Sequence, residues 1–200
     1  MSQKNITNVN PQKWGPPFWK LLNTLAQYSE KIPGNMNKDL SEFITSIPYV
    51  LPCNICSNHC KQIYARTDLK SIISLTDLKQ WVYDLRTQVN KYTNTNNITY
   101  SAYILTLRRP GTFINEKQLV DLLAMISISY PNDNDQSSFI KKKYIYSFVQ
   151  ILIKFVTYIP HLQSLGKFVL YHVWKDKKEF QDWLLLNSKK VYHYDVKFNY

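Results

Sequence analysis

The chain has 200 residues, 44% of them hydrophobic and 20% charged, with 25 lysines and arginines against 14 acids for a net charge of +11. That composition fits one sizeable globular domain or two small ones and excludes a collagen, an acidic tail protein and a fully disordered chain. The four glycines, Gly15, Gly34, Gly111 and Gly166, lie far apart, which excludes GxGxxG and Walker-type phosphate loops and disfavours a turn-rich sandwich or barrel. An all-α fold is the expectation. The charge excess is spread evenly, +5 over residues 1–100 and +6 over 101–200. Without a nucleic-acid-binding motif, such dispersed charge implies no specific nucleic-acid partner.

The N-terminus is polar and carries no apolar signal-peptide core, and the most apolar stretch, residues 144–159, is interrupted by Lys154 and too short to span a bilayer. A cytoplasmic protein without a membrane span is expected. In chain order, residues 18–28 show helical apolar spacing, with Pro16 and Pro17 placed to start that helix. A second helix is predicted over 37–50 and a third from Pro52-Cys53 to about Arg66. After a connection at 68–75, Thr76 is the expected cap of a fourth helix carrying Leu78, Trp81, Val82, Leu85 and Val89 on one face. Residues 100–107 suggest a short fifth helix. Arg108-Arg109-Pro110-Gly111 reads as a boundary. Four more helices are predicted beyond it, over 116–130, 139–159, 162–174 and 177–192. The expected organisation is a four-helix bundle with a short fifth helix over residues 1–108, then a second helical bundle over 109–200. Tyr28 and Tyr130, Trp81 and Trp183, and Val89 and Val191 share an offset of 102, which suggests a degenerate internal copy.

The only cysteines are Cys53, Cys56 and Cys60. So few, so close together, suggest chemistry or metal rather than a disulfide scaffold. Cys53-Asn54-Ile55-Cys56 is a CxxC at a helix start, where the helix dipole and free N–H groups favour thiolate. A lone CxxC also serves as half a zinc site, and Cys53, Cys56, His59 and Cys60 are a conceivable compact set. Adjacent His59 and Cys60 point about 100° apart on a helix, which makes joint ligation awkward.

The surroundings of the CxxC carry a more specific signal. Trp14-Gly15-Pro16-Pro17-Phe18-Trp19 is followed by Asn23, Ala26 and Tyr28, then by Pro52-Cys53-x-x-Cys56-x-x-His59, then by Trp81 and Val89-Asn90. Over residues 14 to about 103 this resembles the Erv/ALR family of FAD-linked thiol oxidases, in particular the short members from large DNA viruses. The resemblance implies a helical bundle holding FAD beside the CxxC, a thiol-containing protein substrate (a thioredoxin-like CxxC carrier is expected), O2 as electron acceptor, hydrogen peroxide as product and no metal. It implies Cys53 as the outer sulfur and Cys56 as the sulfur beside the flavin. The implied cofactor residues are Trp14, Gly15, Trp19, Asn23, Tyr28, His59, Trp81, Arg86, Val89, Asn90, Lys91 and Tyr100. Asn23 and Arg86-Thr87 stand where the family has histidine and His-Asn, so altered FAD contacts are expected. For a viral member the host-cell cytoplasm and the virion are the expected locations. The second half would cover the oxidase bundle as a partner subunit does in dimeric members; a homodimer is the other expected arrangement. Two further readings are a helical interaction protein with a degenerate oxidase fold and a small zinc module around Cys53–Cys60.

Overall fold

A computed structural model describes residues 9–71, 74–170 and 172–198; the polar segment 1–8 lies outside them. Among the described residues the regular structure is helical throughout. Helix α1 spans Pro11–Tyr28. It starts earlier than Pro16 and Pro17 suggested, because the Asn10 side chain accepts from the Gln12 N–H and Pro11 takes the first position, where its missing N–H costs nothing. Pro16 and Pro17 therefore sit inside the helix. The carbonyls they leave without partners, of Gln12 and Lys13, lie on its exposed first turns, where water reaches them.

Helix α2 (Asn37–Val50) and helix α3 (Asn54–Arg66) follow the sequence expectation. Residues 68–71 and 75–77 form 3-10 turns; the Ser74 hydroxyl, not Thr76, caps the second, accepting from the Thr76 N–H. Helix α4 (Leu78–Thr93) buries Leu78, Trp81, Val82 and Leu85 and ends at Asn94 in the left-handed conformation. Helix α5 (Tyr100–Thr106) completes the first half. Gly111, at φ 80°, turns the chain in the region expected as a boundary.

Helix α6 (Glu116–Ile128) opens with a capping box between Asn115 and Gln118. Helix α7 spans Gln136–Val156 and helix α8 spans Lys177–Tyr192. The helix predicted over 162–174 is absent. A 3-10 segment runs over Pro160–Lys167, where a Cβ on Gly166 would approach the Thr157 methyl to 2.6 Å, and Phe168–Leu170 is irregular. Tyr171 lies outside the described residues. Trp174 is drawn into the core instead of continuing a helix: its ring stacks on Phe180 at 4.0 Å and its carbonyl accepts from the Tyr130 hydroxyl at 2.6 Å.

One hydrophobic core runs through both halves. Helix α2 packs along α7, and α1 packs on α6. Phe43 of α2 stacks on Phe148 of α7 at 4.5 Å, and Tyr49 on Tyr144 at 4.1 Å. The order α1, α2, α4 thus recurs as α6, α7, α8, with the first two matching pairs, α1 with α6 and α2 with α7, in contact. The element spacing is 99 residues from the start of α4 to the start of α8, so Trp81 and Trp183 are about one turn out of step.

Candidate active site

The N-terminus of α3 builds the redox element. Cys53 is its N-cap: extended backbone there turns the Sγ to accept the Cys56 N–H at 3.2 Å. Cys53 and Cys56 are joined as a disulfide, with Cα atoms 5.2 Å apart. Two intervening residues in one helical turn set that separation. Cys53 is only 6% exposed, against the expectation of an outer sulfur, because the Val9 N–H bonds the Pro52 carbonyl at 2.9 Å and lays residues 9–10 against this corner. Cys56 is half-buried.

Cys56 borders a cavity of about 230 Å³ enclosed by α1, α2, α3 and α4. Its walls are largely apolar and aromatic: Trp14, Phe18, Trp19, Leu85 and Val89, with His59 and Tyr92 at one side. The His59 and Tyr92 rings stack at 4.8 Å. Trp14 is 7% exposed, and its indole N–H has no hydrogen-bond partner. An unpaired buried donor costs about 1–3 kcal/mol, so this wall is built for an acceptor.

Gly15 and Trp19 are shared with a second depression, of about 450 Å³, which also takes in Lys20, Asn23 and Arg86. Asn23 and Arg86 in turn border a third, of about 280 Å³, lined by Tyr83, Asn90, Asn97 and Tyr103. Through these shared walls the three adjoin as a trough from the disulfide to the Asn-rich turn after α4. It is apolar at the sulfur end and polar at the other. The Arg86 guanidinium lies over the Trp19 ring, 5.5 Å from its centroid. Asn23 is buried, and its Oδ1 accepts from the Tyr103 hydroxyl at 3.2 Å. Asn90 donates to Asn97 Oδ1 at 2.9 Å and so holds the far wall.

The trough fits FAD by its shape, its aromatic walls beside Cys56 and its orphaned indole N–H. Trp14, Trp19, His59 and Val89 would hold the flavin end, and Asn23, Arg86 and Asn90 the nucleotide end. Four expected residues lie elsewhere. Trp81 is core: its indole N–H donates to the Leu69 carbonyl at 2.5 Å. Tyr28 packs edge-on to Phe113 and against His161, joining α1 to the second half. Lys91 is exposed and donates to Gln88, and Tyr100 packs edge-on to Tyr83 at the surface. None of the four lines the trough.

Several lining residues were not singled out from sequence. Phe18 is four positions after Trp14, and Leu85 four before Val89, so helical spacing alone could have found both. Tyr103 could not be found so, since it meets Asn23 from 80 residues away. Cys60, one turn beyond Cys56, lines the same cavity. Burial pushes its thiol up to about 12, which leaves it protonated and a poor nucleophile. The disulfide takes up two of the four atoms a Cys53–Cys60 zinc set would use. Among the described residues no group of three or more His, Cys, Asp or Glu is arranged to hold a metal ion. No described helix is long and apolar enough to cross a membrane.

Comparison with known proteins agrees with this geometry. The chain is 29% identical over 91 residues to the FAD-linked sulfhydryl oxidase of African swine fever virus (isolate Tick/Malawi/Lil 20-1/1983), covering 76% of that protein. It is 30% identical over 92 residues to an FAD-linked sulfhydryl oxidase of Arabidopsis thaliana, of which it spans about half, 48%. It is 32% identical over 92 residues to a protein of Invertebrate iridescent virus 6 whose name assigns it to the same class, covering 83% of it. These alignments cover 45%, 46% and 42% of this chain. No solved structure gives a significant match. The Erv1/Alr family profile matches residues 16–107, which end just past α5 and take in most of the trough, though not Trp14 and Gly15; the chain belongs to the Erv1/Alr family.

Proposed function

We propose that the protein is an FAD-dependent thiol oxidase that introduces disulfides into protein substrates and passes the electrons to O2. The observation that carries this reading is the Cys53–Cys56 disulfide bordering, through Cys56, an aromatic cavity with an unpartnered indole N–H. Once residues 9–10 uncover Cys53, a substrate thiolate attacks its Sγ; the Cys53–Cys56 bond breaks as the mixed disulfide forms, and Cys56 leaves as thiolate. The first turn of α3 stabilises that negative charge. A second substrate thiolate attacks the substrate sulfur of the mixed disulfide, which forms the substrate disulfide and releases Cys53. The electron pair then resides on the reduced Cys53 and Cys56, with Cys56 facing the cavity. The chemistry FAD supplies there is uptake of that pair and its delivery to O2, giving hydrogen peroxide.

The chain's own residues position and shield. Trp14, Phe18 and Trp19 wall the sulfur end with apolar surface, and Arg86 places a fixed positive charge at the polar end. We assign residues 109–200 the place of a partner subunit: the pairing of α1 with α6 and of α2 with α7 supports an internal pseudo-dimer.

The test is direct. Purified protein is expected to be yellow, and Cys56→Ser to stay yellow while oxygen consumption with dithiothreitol falls to background. Protein that remains colourless after incubation with FAD would favour the degenerate-fold reading instead.

A further inference from the structure

The surface around Lys61, further along α3 from the redox disulfide, is built from both halves of the chain. Ile55, between the two cysteines, is 63% exposed. Lys61 follows Cys56 by five positions on α3, about 8 Å further along the axis. Its ammonium lies 4.9 Å from the Tyr49 ring centroid, and Tyr49 is itself stacked on Tyr144 of α7. Ile140 and Lys141 precede Tyr144 by four and three positions, which puts them on the same side of α7. Ile140 is exposed. Among the described residues Lys61, Lys141 and Lys177 form no ion pair, whereas Lys79, Lys117, Lys154, Lys178 and Lys189 each pair with a carboxylate. Burial, with Lys61 and Lys177 nearby, pushes the Lys141 ammonium down to about 8. Cations gathered without a counter-ion repel one another until an anion arrives.

We propose that the surface carrying Ile55, Lys61, Ile140 and Lys141 is the docking site for the protein substrate, and that it selects cysteine-bearing segments flanked by acidic residues. The inference rests on the thiol-oxidase reading. It gives α7 of the second half a part in substrate choice. The exposed Ile55 and Ile140 each supply apolar contact area, and the lysines supply sign discrimination and steering.

The probes are two reduced CxxC peptides, identical except for four flanking glutamates in one and four flanking lysines in the other. At low ionic strength kcat/KM is expected to favour the glutamate peptide by about tenfold, with the gap closing in about 0.5 M salt. Lys61→Glu/Lys141→Glu should invert the preference and leave turnover of uncharged dithiothreitol unchanged. Lys61→Gln/Lys141→Gln, which introduces no repulsion, should abolish the preference and serves if the reversal disturbs folding. Equal kcat/KM for both peptides, or a preference that survives in the glutamine pair, overturns the proposal. Fluorescence anisotropy with serine in place of the peptide cysteines reads docking apart from redox chemistry. Loss of dithiothreitol oxidation with selective anisotropy intact would sink the oxidase reading alone; unselective anisotropy would sink the docking site alone.

Discussion

The two halves spend their tryptophans in opposite ways. In the first, Trp14 and Trp19 stand around a cavity, and the Trp14 N–H is buried without a partner. In the second, Trp174 stacks on Phe180 at 4.0 Å, Trp183 packs at 4.9 Å from Trp174, and the Trp183 N–H donates to the Val169 carbonyl at 2.7 Å. The second cluster is closed by its own rings and its Trp183 donor is met; the first is open and has an indole donor to spare. Aromatic content alone therefore does not mark a binding site. Unfilled volume together with an unmet hydrogen bond does.

Three experiments press on that contrast. Trp174→Ala should remove the centre of the closed cluster, cost about 3–5 kcal/mol of stability and lower the melting temperature by roughly 10 °C, as read by calorimetry. The yellow colour should persist, since no trough residue is touched; loss of flavin with full folding would show the halves to be coupled. A paired substitution is subtler. Trp183→Phe removes a made hydrogen bond and leaves the Val169 carbonyl unpaired, at about 1–3 kcal/mol. Trp14→Phe removes a donor that has no protein partner, so the apoprotein should lose less stability while flavin dissociation rises by about two- to tenfold. Equal losses in the two apoproteins would erase the distinction between an open and a closed cluster.

The smallest effect concerns Cys60. Its thiol is held up to about 12 from a usual 9.0, and burial raises Tyr64 beside it. Both groups keep their protons in the folded state to higher pH than in the unfolded chain. They contribute stability that is fully present below about pH 9 and is lost as pH climbs toward 12. Cys60→Ser should make the fall in melting temperature above about pH 9 shallower, and leave dithiothreitol turnover largely intact. A sharp loss of turnover would give Cys60 a role in the chemistry.

Much of the first half was legible because its signals are local. Helices α2, α3 and α5 follow from spacing and breakers, and the CxxC at a helix start follows from three residues. The errors have physical causes. Asn10 and Pro11 outrank Pro16 and Pro17 as a helix start, because a side-chain acceptor and a free first position are better than two prolines further on. Residues 162–174 have helical spacing, yet Gly166 packs against Thr157 and Trp174 gains more by entering the core than by continuing a helix. Among the site residues, Trp14, Trp19, His59, Asn23, Arg86 and Asn90 reach the trough. Trp81 and Tyr28 do not, since an indole N–H and a phenol ring found partners in the fold first.

The amino-acid sequence by itself determined the helical class, the redox pair at the start of α3 and the family, because caps, periodicity and motif spacing act over a few residues or recur as letters. Only the tertiary structure decided which tryptophans face a void, that Asn23 is held by Tyr103, and that Tyr144 of α7 stacks on Tyr49 of α2. Those facts depend on how separate helices fill space against one another, and no spacing within a single helix encodes them.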